Sequence, residues 1–187
     1  MSRAGQATYE TVTTAMRAAW DEEQRVRGRV TNMKRTLLLS EPAYIAYMGW
    51  YPLWDEVVKL VGARTAAVFA HAISARNGCV LCTVYFRREL MEAGISPEAF
   101  LPTADEALLL RLSEAMIEDR NHIGDELWRD LSVRFDQPGI VNIIGFAGMM
   151  IAVNTFNSAL GIDVDADLER FLPPLKARPA ASEQATG

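Results

Sequence analysis

Cysteine and histidine are scarce in this chain, with two of each among 187 residues. Two cysteines cannot build a disulfide-dense scaffold. A structural zinc site needs four ligands, and His71 and His122 complete no zinc-finger spacing with the cysteines. No metal and no cofactor is therefore expected. Basic residues are also in the minority: 19 Lys and Arg stand against 24 Asp and Glu, a formal charge of −5. That balance lacks the basic footprint of a nucleic-acid binder. Glycine and proline, 12 and 8, are too few for a collagen-like or linker protein. The most apolar run, residues 140–153, is shorter than the roughly 20 residues a spanning helix needs, and Asn142 interrupts it. No apolar core follows the lone Arg3, so neither a secretory leader nor a membrane span is expected. The expected location is a reducing cytoplasm, where neighbouring cysteines more often serve redox or metal chemistry than a structural disulfide.

Half of the chain is hydrophobic and 23% is charged, the balance of a folded domain rather than a disordered one. Apolar residues recur at helical spacing. Val12, Met16, Ala19 and Trp20 mark one face of a first helix, about Thr8 to Arg27, whose other face carries Asp21, Glu22, Glu23 and Arg25. Ser40-Glu41-Pro42 opens a second helix, which Pro52 breaks near Tyr51, and a new one runs to Gly62. Further helices are expected over Arg64–Ala75, Cys79–Ala93, from the Thr103-Ala104-Asp105-Glu106 capping box through Met116, over Ile123–Phe135, and over Gly139–Leu160. Thr83-Val84-Tyr85-Phe86 has β-propensity but continues into Arg87-Arg88-Glu89-Leu90-Met91 at helical spacing. The fold class is thus all-α. Residues 1–172 are expected to form one helical domain, and 173–187 a fraying C-terminal tail.

The sharpest chemical signal is Cys79-Val80-Leu81-Cys82 directly after the breaker pair Asn77-Gly78. That order places both thiols in the first turn of a helix, where unpaired N–H groups and the helix dipole favour thiolate. A thiolate attacks peroxides and disulfides, and a second thiol resolves the product. The plainer role is two buried cysteines acting as small hydrophobes. His71, eight residues before Cys79 on an apolar helix, is a candidate base or a histidine bonded to a backbone carbonyl. Trp50, Tyr51 and Trp54 cluster around Pro52 as core, subunit interface or an apolar substrate pocket, and Tyr85 follows Cys82 by one turn. Asn154 and Asn157, one turn apart on the apolar last helix, are expected to bond across helices, and Met149-Met150 to fill core.

The run Ala72-Ile73-Ser74-Ala75-Arg76-Asn77-Gly78-Cys79-Val80-Leu81-Cys82, with Arg87-Arg88-Glu89-Leu90 and Gly94, resembles the core of the carboxymuconolactone decarboxylase / alkyl hydroperoxidase D (AhpD-like) superfamily. The core motif lies within residues 64–94; weaker likeness, at Thr31-Asn32-Met33, Ser40-Glu41-Pro42 and residues 140–161, extends over most of 28–165. The resemblance implies an AhpD-like bundle of about seven to nine helices that assembles as a dimer, trimer or hexamer. It implies a peroxidase-type oxidoreductase in which Cys82 attacks a hydroperoxide, Cys79 resolves it to a disulfide, and a thiol or dithiol donor protein restores the pair. Trp50, Trp54, Tyr85 and Phe86 would bind substrate. Departures from the family pattern are specific. Its usual His four residues after the second cysteine is Phe86, its usual Glu twelve residues before the first is Ala67, and the His some members carry inside the motif is Leu81. His71, one turn after Ala67, is the expected substitute relay. Two other functions fit the same resemblance: a non-redox enzyme, lactone decarboxylase or isomerase-like, using His71 and the Trp50/Trp54 pocket, or a catalytically degenerate helical oligomer that binds a small apolar ligand.

Overall fold

Thr13, Thr31 and Asp136 start helices in the same way, each accepting a hydrogen bond on its side-chain oxygen from a backbone N–H three residues on. The computed structural model describes residues 2–118 and 122–173. Among the described residues it contains nine α-helices, one 3-10 turn and no strand. These are α1 (Thr14–Arg27), α2 (Asn32–Leu37), α3 (Glu41–Met48), α4 (Tyr51–Val61), α5 (Ala63–Arg76), α6 (Val80–Glu92), α7 (Ala104–Glu118), α8 (Asp125–Arg134) and α9 (Gln137–Leu160). The closing 3-10 turn is Ala166–Phe171. The expected C-terminal tail lies, from residue 174 on, outside the described residues.

Several expected boundaries move for identifiable reasons. α1 begins six residues after Thr8, because the Thr8 N–H bonds the Thr11 hydroxyl at 2.9 Å and holds a turn there. Pro52 occupies the first turn of α4, so α3 stops earlier than expected, at Met48. The expected capping box forms: Thr103 N–H donates to Glu106 at 2.8 Å and Glu106 N–H to Thr103 Oγ1 at 3.2 Å. Glu23 is a correction. Expected on the polar face of α1, it is buried, because Lys34 of α2 reaches it from across the turn.

α5 forms the centre. Phe69, Ala70 and Ile73 are wholly buried against Leu109 and Leu112 of α7, Ile143 and Phe146 of α9, and Val57 of α4. The Phe69 and Phe146 rings lie 6.1 Å apart. The apolar run at 140–153 lies within the expected long helix, which starts two residues earlier than Gly139 and spans 24 residues. By length and composition α9 alone among the described residues could cross a bilayer, yet here one side of it supplies the core. The segment after α9 ties back to α2: Asp165 Oδ1 accepts from Asn32 N–H at 2.8 Å. This tie sets Met33 and Lys34 beside α6 and α9, where the cysteines are.

Candidate active site

The site begins at a corner. Gly78 adopts φ +72°, in the left-handed region that a side chain disfavours, and so turns the chain out of α5 and into α6. Cys79 is left at the N-cap of α6 with extended backbone, φ −83° and ψ 102°. Its sulfur takes the place of a capping hydroxyl and accepts from Cys82 N–H at 3.4 Å. Cys82 sits in the first turn, where Asn157 of α9 donates its amide to the Cys82 sulfur at 3.1 Å and to the Met33 sulfur at 3.6 Å. Both cysteines are free thiols and buried.

The two thiols perturb one another. The Cys82 thiol donates to Cys79 and pulls the Cys79 thiol down to about 7, against burial and with help from Cys82 N–H, Ser158 and Asn157. The same hydrogen bond pushes the Cys82 thiol up, as do burial and the charge on Cys79. Of the two, Cys79 is thus the one that loses its proton more readily. Access is divided the other way. Cys82 lines a cavity of about 380 Å³, and Cys79 is not part of its lining.

That cavity is aromatic and sulfur-rich. Trp54, Tyr85 and Phe86 line it, together with Tyr47, Tyr51, Phe146 and the methionines Met33, Met149 and Met150. Trp54 bridges Phe86 at 5.8 Å and Phe146 at 5.7 Å, and Tyr85 meets Phe86 edge-on at 5.1 Å. Phe86 is thus a wall of the cavity, while Ala67 is buried in a separate apolar cluster with Val68, Leu90 and Ile95. Of the residues singled out from sequence, Cys82, Trp54, Tyr85 and Phe86 converge on the cavity; Trp50 and His71 are not in its lining. Trp50 packs on Tyr47 at 5.5 Å with its other side exposed. His71 is half-buried on α5, where burial and then Arg87 lower its pKa. His122 is exposed.

A polar cluster that sequence reasoning misses adjoins the same cavity. Glu23 pairs with Lys34, receives the Tyr44 hydroxyl at 3.3 Å and meets Arg27 Nε at 3.2 Å. Lys34 Nζ stands 5.1 Å and the Arg27 guanidinium 5.5 Å from the centre of the Tyr51 ring. Burial, outweighing Arg27 and aided by Glu23, Tyr85 and Cys82, pushes the Tyr51 phenol up to about 12. Burial likewise pulls Lys34 down, opposed by Glu23. Arg27, Arg29, Lys34 and Arg88 bring cationic groups to the chamber, and Glu89 and Asp165 bring carboxylates. The expected bonds across helices form at both amides: Asn154 accepts from the Ser74 hydroxyl at 3.4 Å, and Asn157 reaches the sulfurs of Cys82 and Met33. The signal in the chain is a polar amide on an apolar helix, which marks burial but not the partner.

No protein-family profile and no curated protein matches the chain. Solved structures do. An uncharacterized peroxidase-related protein from Silicibacter sp. TM1040 aligns at 15% identity over 89% of this chain and 93% of its own, with a TM-score of 0.75. The alkylhydroperoxidase AhpD core of an uncharacterized peroxidase-related protein from Ralstonia eutropha JMP134 aligns at 16% identity over 89% and 94%, TM-score 0.70. The debrominase Bmp8 aligns at 14% identity over 90% and 95%, TM-score 0.73. A cysteine-to-alanine variant of Bmp8 is also seen in complex with 2,3,4-tribromopyrrole. At such identities the likeness is one of fold, and the fold is AhpD-like.

Proposed function

We propose that this chain of AhpD-like fold is a dithiol oxidoreductase that reduces organic hydroperoxides through the Cys79/Cys82 pair. The observation that carries the reading is the Cys82 sulfur on the wall of an aromatic cavity, hydrogen-bonded to Asn157, with Cys79 capping the same helix turn. The cavity is within the size range of small-molecule sites, and its lining suits a substrate with an aromatic or bulky apolar body. The sheltered thiol ionises more readily and access belongs to the other. Proton transfer from Cys82 to Cys79 makes Cys82 the nucleophile as substrate arrives. Attack on the O–O bond gives a sulfenic acid on Cys82 and an alcohol. Cys79 then displaces water from that sulfur and the disulfide forms. A dithiol donor protein returns the two electrons by thiol–disulfide exchange.

Mass spectrometry after dilute cumene hydroperoxide tests the proposal. The expected product is one intramolecular Cys79–Cys82 disulfide, with peroxide consumption abolished in Cys82→Ser. A pair that stays reduced in excess hydroperoxide ends the reading. A second reading has its own support in the aromatic, methionine-lined chamber and in the debrominase neighbour. In it the Cys82 thiolate takes bromine from a bromoarene, the ring carbon gains a proton, and Cys79 expels bromide as the disulfide forms. Bromide release from a bromopyrrole, with hydroperoxide left unconsumed, would select it.

A further inference from the structure

Attack of a thiolate on a hydroperoxide expels an alkoxide, a strong base that needs a proton as it leaves. Ala67 and Phe86 are hydrocarbon and cannot supply one. Within the cavity lining, Tyr47, Tyr51, Tyr85 and Lys34 carry protons suited to such a transfer. Tyr47 is engaged with the Trp50 and Phe156 rings, and Tyr85 lies under the single cation Arg88. Tyr51 alone of the three tyrosines has two cations, Lys34 and Arg27, over its ring.

We propose that Tyr51 is the general acid of this site: its hydroxyl protonates the oxygen that leaves when Cys82 attacks an organic hydroperoxide, and Lys34 and Arg27 stabilise the resulting phenolate. The inference rests on the hydroperoxide reading above. The sulfur–oxygen bond forms at the distal peroxide oxygen and the O–O bond breaks. Its electron pair moves to the proximal oxygen, which takes the Tyr51 proton and departs as alcohol. Sulfur is oxidised by two electrons and the peroxide is reduced by two. The phenolate regains a proton from Lys34 or from solvent, and Glu23 keeps Lys34 in place. The half-buried phenol retains its proton at working pH yet remains a stronger acid than an aliphatic alcohol. The cluster Glu23–Lys34–Tyr51 thus occupies the role that the apolar Ala67 and Phe86 leave vacant, from α1, α2 and α4 rather than from α5 and α6.

Single-turnover oxidation of the reduced full chain, followed for wild type and Tyr51→Phe, tests this. The variant keeps the ring beneath Lys34 and Arg27 and removes only the hydroxyl. With cumene hydroperoxide, Tyr51→Phe should react about 100-fold more slowly, the usual worth of a positioned acid. With peracetic acid, whose carboxylate leaves without a proton, the two proteins should react alike, and alkylation by iodoacetamide should be unchanged. Wild type should also show a normal solvent isotope effect with the hydroperoxide and none with the peracid. Equal slowing toward all three reagents would make Tyr51 a packing residue, and no slowing would remove it from the chemistry; either overturns the proposal while leaving the dithiol reading intact. Wild type inert to the hydroperoxide but alkylated normally would overturn both.

Discussion

One amide touches the accessible sulfur. Asn157 donates to Cys82 at 3.1 Å and also lowers the Cys79 thiol, so it holds negative charge on the pair in a buried setting. Replacing it with leucine removes that donor at similar volume. Asn157 lowers both thiols, so Asn157→Leu should raise both ionisations, with the larger shift at Cys82, whose sulfur it bonds. Thiolate absorbance titrations would measure this. In the wild type, one thiolate should appear with a midpoint near 7 and the second only above the ordinary value of 9. Stability follows the same two ionisations. Cys79 is depressed in the folded state, so its contribution is present above about 9 and fades as pH falls toward about 7. Cys82 is raised, so the folded pair holds the extra proton above 9 and stability declines there. The reduced protein should therefore gain stability between about 7 and 9 relative to a Cys79→Ser/Cys82→Ser variant, and lose that gain at higher pH. Thermal unfolding of both proteins across that range would check it.

Among the elements, the α5–α6 corner and α9 place the sulfurs. Gly78 at φ +72° has no atom near the position of an added Cβ, so any penalty for a side chain is purely one of backbone conformation. Gly78→Ala should cost about 1–2 kcal/mol in urea unfolding and raise the first thiol pKa, because the start of α6 would shift relative to Cys79. The corner was legible in the chain itself: Asn77-Gly78 ahead of Cys-x-x-Cys gives a stop, a turn and a start within six residues. The same holds for the Thr103 capping box and the Gly62 stop, whose interactions are local. Elements set by distant partners were harder to read. α2 is short, and its position depends on Asp165, 133 residues away.

At the scale of the molecule, α9 is buried on one side and exposed on the other. Ile143, Phe146 and Ala147 are in the core, while Val141 is 68% exposed and Gly145, Gly148 and Thr155 are exposed beside it. Small residues beside an exposed valine let another copy of the chain pack closely on this face. We expect a homo-oligomer that uses it: light scattering should give the mass of several chains, and Val141→Glu should shift the protein toward one chain without moving the thiol titration. A monomeric wild type at working concentration would contradict the expectation.

The amino-acid sequence determined the helical class, most helix starts and stops, and the presence of a thiol pair at a helix N-terminus, because each depends on interactions within a turn or two of chain. It also exposed the hydrocarbon at positions 67 and 86. Tertiary structure alone decided that Asn157 would meet a cysteine 75 residues earlier in the chain, that Glu23 would be buried against Lys34, and that Tyr51 would join Cys82 at one cavity. Those juxtapositions arise where α1, α2, α4, α6 and α9 converge. Periodicity within a segment can tell which face of a helix is apolar, but the neighbour that covers that face is chosen by packing.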